Sequence, residues 1–123
     1  KRIEEKAAHV FEVSEPADMF SGVHTTGELG QTIKEQSLVL ETRGGVVVLT
    51  GCAHPGLETI VEAAAVFGDL YGVIGGFHGF DTLTLLEGLA LVMPCHCTAR
   101  KKEIMQMYPE KAVWCGGGET ITI

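Results

Sequence analysis

Charge is scarce in this chain of 123 residues. Only 20% are Asp, Glu, Lys or Arg, and aromatic residues make up 7%. With 46% hydrophobic residues beside them, those values exclude a disordered tail and a coiled coil. Long apolar runs are missing too. Residues 46–50 and 88–95 are apolar, but both fall far short of the ~20 residues that span a bilayer, so no membrane partner is expected. The opening Lys1-Arg2-Ile3-Glu4-Glu5-Lys6 is charged with no apolar stretch behind it, unlike a secretory signal, and the expected location is cytoplasmic. Basic residues are outnumbered nine to sixteen, for a formal charge of −7. A surface of that sign repels phosphate backbones, so nucleic acid is not an expected partner. Cysteine is sparse as well. Cys52, Cys95, Cys97 and Cys115 are too few for a disulfide-dense scaffold and are expected as reduced thiols, most of them small buried residues.

What is present is glycine, 16 residues of it, and enough apolar residues for a core in one domain over 1–123. Residues 10–13 look like a short strand and 14–18 like a turn. Residues 22–27 read as a strand running into a glycine turn. Gln36–Thr42 and Val46–Thr50 flank Gly44-Gly45 and read as a β-hairpin whose second strand is apolar throughout. The period then changes. Leu57, Ile60, Val61, Ala64 and Ala65 repeat at helical spacing, which predicts an amphipathic helix over 57–67. Tyr71–Gly75 is the next strand. A helix capped by Asp81 is expected over 82–88, with Leu83, Leu86 and Leu89 inward. A strand over 89–94, a basic helix over 99–107, a strand over 112–115 and a period-2 ending over 119–123 complete the pattern. Alternating strands and helices imply an α/β layer structure.

Three histidines share one position in that pattern. His54 follows the strand 46–50, His78 follows 71–75 and His96 follows 89–93. Ligand sites gather at the carboxyl ends of strands in α/β sheets, and neutral imidazole is a favoured ligand of first-row metals. Each alone is more often a loop residue than a ligand; the shared placement is what points to a metal. His9 reads as a surface residue and His24 is ambiguous. Cys52, Cys95 and Cys97 can bind a soft metal, yet Cys-His-Cys is not a zinc-finger spacing. Strand alternation would turn Cys95 and Cys97 to the same face. Glu28 and Glu35 are candidate carboxylates whose plainer reading is solvated turn residues. Arg100-Lys101-Lys102 could meet an anion, though such a run is more often a solvated face. Gly116-Gly117-Gly118 lacks the Lys-Ser/Thr of a phosphate loop and reads as a tight turn.

Gly51-Cys52-Ala53-His54-Pro55-Gly56, Gly75-Gly76-Phe77-His78 and Pro94-Cys95-His96-Cys97-Thr98, in this order, resemble a branch of the metallo-β-lactamase superfamily. The branch includes proteins described as dihydropterin–ribofuranosylaminobenzene-phosphate synthases, related to methanopterin synthesis. Thr26-Gly27-Glu28 and Gln36–Val39 resemble the region before these motifs, and the likeness covers roughly 20–123. It implies an α/β fold, specifically the C-terminal half of an αββα sandwich. It implies His54, His96 and His78 as metal ligands, with His78 also a candidate catalytic proton shuttle. The implied cofactor is a divalent metal, zinc foremost and iron or manganese as alternatives, absent in the isolated chain if the site is incomplete. The sequence also departs from the family pattern. It has no His-x-His anywhere, whereas the family's first motif is His-x-His-x-Asp-His. Leu29-Gly30-Gln31 stands where an arginine commonly follows Thr-Gly-Glu, and Ala99 where Gly is usual. The expectation is therefore a portion of a metal-dependent hydrolase or pterin-related transferase, inactive alone. A homo-oligomer or a complementary N-terminal half would complete it, and its substrate would be small and anionic or phosphorylated. The alternative is a non-catalytic relative that binds metal weakly or oligomerises.

Overall fold

The computed structural model describes residues 3–123, so Lys1 and Arg2 of the charged opening lie outside the described residues. Six strands form one sheet in chain order: β1 (Ala17–Phe20), β2 (Val23–Thr25), β3 (Leu38–Thr42), β4 (Gly45–Thr50), β5 (Leu70–Gly75) and β6 (Leu91–Pro94). β1 to β4 are an antiparallel meander, and β4, β5 and β6 run parallel. The switch follows from the connections. Gly44 joins β3 to β4 by a hairpin, where a Cβ would lie 2.5 Å from the Tyr71 ring. The later connections carry helices, as parallel neighbours require. Between β4 and β5 lies α1 (Leu57–Ala64), continued by a 3-10 turn over Ala65–Phe67. Its Leu57, Ile60, Val61 and Ala64 are buried, the stripe expected from the sequence.

The core lies on the helix-covered face. Val39, Val48, Val73 and Val92 sit side by side across β3, β4, β5 and β6 and pack against Leu57, Ile60, Leu86 and Ile104. Burying each such side chain contributes roughly 1.5–3 kcal/mol. The opposite face alternates with it and is apolar as well. Val47, Leu91 and Met93 are buried there, while Leu38, Leu40, Leu49 and Ile74 remain half-exposed.

Several local expectations need correction. Residues 10–13 are not a strand, and β1 forms instead at Ala17–Phe20, across part of the expected turn. Its ladder to β2 supplies partners that composition could not reveal. The segment over Leu83–Gly88 is a 3-10 helix whose N-cap is Thr82, with no side-chain cap from Asp81. Leu83, Leu86 and Leu89 recur every third residue, the period of a 3-10 helix, and all three are buried. The helix over 99–107 begins later, as α2 (Lys101–Met107). Residues 112–115 contribute only a bridge from Ala112 to Val92, and 119–123 form no strand. The four cysteines are half-buried rather than buried.

His24 resolves into a structural role. It lies on β2 directly across from Asp18 on β1. Its Nδ1 is 2.7 Å from an Asp18 carboxylate oxygen and its Nε2 is 2.9 Å from one of Glu41 on β3. Both ring nitrogens can donate only when the imidazole is protonated. Phe67 stacks on the ring at 4.5 Å. The Asp18 hydrogen bond raises the His24 pKa most, burial opposes it, and Glu41 adds to the rise. A raised pKa stabilises the fold fully below the unfolded value of ~6.5, and the contribution is lost as pH rises through the folded value. Urea denaturation should therefore show stability falling as pH rises above about 6.5, and His24→Gln should flatten that dependence. An NMR titration of His24 at or below the ordinary histidine value would refute this.

Candidate metal centre

Parallel register brings three chain segments to one edge. Thr50 pairs with Gly75 and Gly75 with Pro94, so β4, β5 and β6 end in a single row. The segments beyond are tied to one another. The Gly76 amide donates to the Gly51 carbonyl at 2.9 Å, and the Thr50 hydroxyl donates to the Gly76 carbonyl at 3.0 Å. The Phe77 amide donates to the Thr98 hydroxyl at 3.0 Å, and the Ala99 amide to the His78 carbonyl at 2.8 Å. Phe77, 1% exposed, anchors this edge in the core beneath it.

These loops assemble two overlapping groups of metal-ligating atoms. Cys52, His96 and Cys97 form one, and Glu35, Cys52 and His54 form the other; within each, the ligand atoms lie within 4.8 Å of one another. The Cys52 sulfur belongs to both and is 3.4 Å from His96 Nε2. His54 and His96, 42 residues apart in sequence, thus flank one thiol. His54 Nδ1 hydrogen-bonds the Glu35 carboxylate. The other Glu35 oxygen, Oε2, is buried and has no hydrogen-bond partner among the described residues. His78 lies beside His54, with ring centroids 4.8 Å apart, but belongs to neither group. Two open clefts, of 540 and 280 Å³, meet at His54.

No family model matches the chain. Over 86 residues it is 34% identical to the curated 7,8-dihydropterin-6-methyl-4-(beta-D-ribofuranosyl)-aminobenzene-5'-phosphate synthase of Methanocaldococcus jannaschii, a match covering 59% of this chain and 29% of that protein. A solved structure described as a metal-dependent hydrolase of the beta-lactamase superfamily superposes with a TM-score of 0.76 at 23% identity, covering 93% of this chain and 58% of that one. The fold is that of the metallo-β-lactamase superfamily. The chain spans less than a third of the curated relative and 58% of the solved neighbour. Within this superfamily fold the described edge is the part formed by the carboxyl ends of β4, β5 and β6.

The electrostatics of the edge follow from its contacts. Burial opposes ionisation of Glu35, but the hydrogen bond and charge of His54 outweigh it and hold the carboxyl below its ordinary value. The Cys97 thiol and then burial keep Cys52 above the usual thiol value. Cys95 is pushed up to about 11, by burial first and then by the Cys115 thiol. That last contact corrects the expectation that Cys95 and Cys97 share a face. β6 ends at Pro94, so strand alternation stops before them; Cys95 approaches Cys115 while Cys97 approaches Cys52.

Glu35, expected as a solvated turn residue, and the thiols of Cys52 and Cys97, whose spacing is not that of a zinc finger, stand among the clustered ligand atoms. Glu35 arrives through a bridge to Leu29 that sequence spacing does not show. The usable signal for Cys52 was its place two residues before His54. Glu28 is a solvated residue paired with Lys34, and Arg100 pairs with Glu103 and donates to the Asp81 carbonyl. His78 and Ala53 both adopt positive φ, 42° and 58°, within the loops that build the edge.

Gly76 has a specific steric task here. A Cβ on it would lie 2.5 Å from the Cys97 sulfur, 2.7 Å from the Gly51 carbonyl oxygen and 2.9 Å from the His96 ring. Gly76→Ala should destabilise the chain by about 1–3 kcal/mol, the usual overpacking range. Gly79→Ala, which meets nothing within 4 Å, serves as the control. Equal urea midpoints for the two variants would show that the edge is not closely packed at Gly76.

Proposed function

We propose that this edge holds a divalent metal and that the chain is the metal-binding portion of a hydrolase or pterin-related transferase. The observation that carries the reading is the buried Glu35 Oε2, beside Cys52 and His54 and without a hydrogen-bond partner among the described residues. An ionised carboxylate oxygen left without a partner is costly unless a cation meets it. The donor set fits such an ion. Three protein ligands with an open position is the pattern of catalytic zinc, and zinc accepts nitrogen, sulfur and carboxylate oxygen together. The two thiols favour zinc over manganese, with iron as the alternative.

In this reading the Cys52 sulfur, common to both groups, is one ligand, with two further donors drawn from Glu35 and His54 or from His96 and Cys97. Glu35 also fixes the His54 ring, since an imidazole donating from Nδ1 keeps Nε2 as its ligand atom. His78 stands next to His54 as the candidate proton carrier. A bound divalent metal would polarise a phosphoryl or carbonyl oxygen or acidify a water. The chain's own contribution is to position donors and to frame the clefts on either side of His54. Among the described residues no Lys or Arg lines either cleft, and Glu58 and Asp81 line the smaller one. An anionic or phosphorylated substrate would therefore meet its positive charge at the metal, or from residues other than those that line the clefts.

Completion from outside is the second part of the reading. The absence of any His-x-His leaves too few donors for a two-metal site, and the half-exposed Leu38, Leu40, Leu49 and Ile74 offer an apolar face for a second layer. That layer is a complementary N-terminal half or a second copy of the chain. The same absence favours a chain inactive alone, acting as a weak metal-binding or oligomerising module. Isothermal titration with zinc should show binding that drops roughly 10–100-fold in Glu35→Gln, in line with losses on removing groups that support a ligand. His96→Ala should lower it further. Zinc uptake unchanged by both substitutions would sink the metal assignment. A phosphodiesterase screen of the zinc-loaded chain, with and without a complementary half, then separates a portion of an enzyme from a binding module.

A further inference from the structure

The two thiols at the edge stand close enough to one another for chemistry of their own. Cys52 follows β4 and Cys97 follows β6, and those strands are separated by β5. Strands two apart in a sheet are ~9–10 Å from one another, too far for their side chains to meet within the ladder. The sulfurs nevertheless lie within 4.8 Å of each other. Both loops lean over the end of β5, and the residue beneath them is Gly76, whose missing side chain leaves the space that the Cys97 sulfur occupies. The Cys97 thiol also points at the Cys52 carbonyl, 3.8 Å away. Both cysteines are half-buried, so a small reagent can reach them.

We propose that Cys52 and Cys97 form a reversible disulfide by exchange with a small-molecule disulfide, and that this bond withdraws two sulfurs from the group around His96. The exchange needs no other oxidant. One cysteine sulfur attacks the reagent, forming a mixed disulfide and releasing one small thiol. The second cysteine sulfur then attacks the protein-bound sulfur and releases the other. Two protein thiols are oxidised, one reagent disulfide is reduced, and the two protons end on the two released thiols. A protein disulfide brings sulfurs to ~2.05 Å, so the pair closes by side-chain rotation and a small shift of the two loops. The bond removes Cys52 from both ligand groups at once, because both groups share it. That consequence rests on the metal reading above; the pairing of the thiols does not.

The experiment starts with the metal-free, reduced chain in graded mixtures of oxidised and reduced glutathione, followed by peptide mapping without reductant. A crosslink between the peptides carrying Cys52 and Cys97, reversed by dithiothreitol, is expected. Cys97→Ser should instead trap glutathione on Cys52. Glutathione accumulating on wild-type Cys52 or Cys97 with no internal bond would overturn the proposal, as would a crosslink from Cys95 to Cys115 in place of this one. The wild-type map decides the question even if the variant fails to fold. Zinc titration of the two forms then reads the consequence, with affinity expected to fall at least roughly tenfold on oxidation. Zinc uptake by neither form would overturn the metal reading and leave the disulfide standing. Zinc uptake by the reduced form with no crosslink would overturn the redox pair alone.

Discussion

The shared register of β4, β5 and β6 is the constraint on which the candidate centre depends. Thr50, Gly75 and Pro94 end three parallel strands in one row, and every candidate ligand but Glu35 follows directly from that row. The parallel pairing holds because both faces of these strands carry apolar side chains, and because α1 and the 3-10 helix over Leu83–Gly88 provide the return connections. A slip of one residue in either ladder would turn Val48, Val73 or Val92 out of the core. The packing of a distant face therefore fixes where the histidines stand.

Close approach is the second theme of this edge. Gly76 lies under Cys97 and His96, and Gly75 has a φ of 138° with Thr50 immediately beside it. Larger residues would hold the 51–56 and 95–98 loops apart. Phe77 does the complementary work, filling the core and leaving His78 on the outside in a strained backbone conformation. The resulting loops are joined by hydrogen bonds between neighbouring strand ends, so the donors sit on a connected frame rather than on independent turns.

The other histidine cluster shows the contrast. His24, Asp18 and Glu41 also bring an imidazole and two carboxylates together, but the carboxylates bond opposite nitrogens of the ring. They cannot converge on one ion, and the stacked Phe67 closes one ring face. Composition does not distinguish this cluster from a ligand set. The side of the ring on which each carboxylate lies does, and that depends on the pairing of β1, β2 and β3.

The sequence by itself determined the parts governed by periodicity and local turns. The hairpin around Gly44-Gly45, the stripe of α1, the apolar strands β4 to β6 and the placement of His54, His78 and His96 after them were all legible there, because each depends on neighbours within a few residues. The shared motifs also pointed to the superfamily fold. The missed elements depend on partners far along the chain. β1 exists because β2 is beside it, while residues 119–123 have the alternation of a strand and no ladder to join. Glu35 and the Cys52–Cys97 approach likewise come from segments 17 or more residues apart meeting over one sheet edge. Only the tertiary structure decided that the group at this edge contains a carboxylate and two thiols, because side chains from separate strand ends share a site only after the register has brought those ends together.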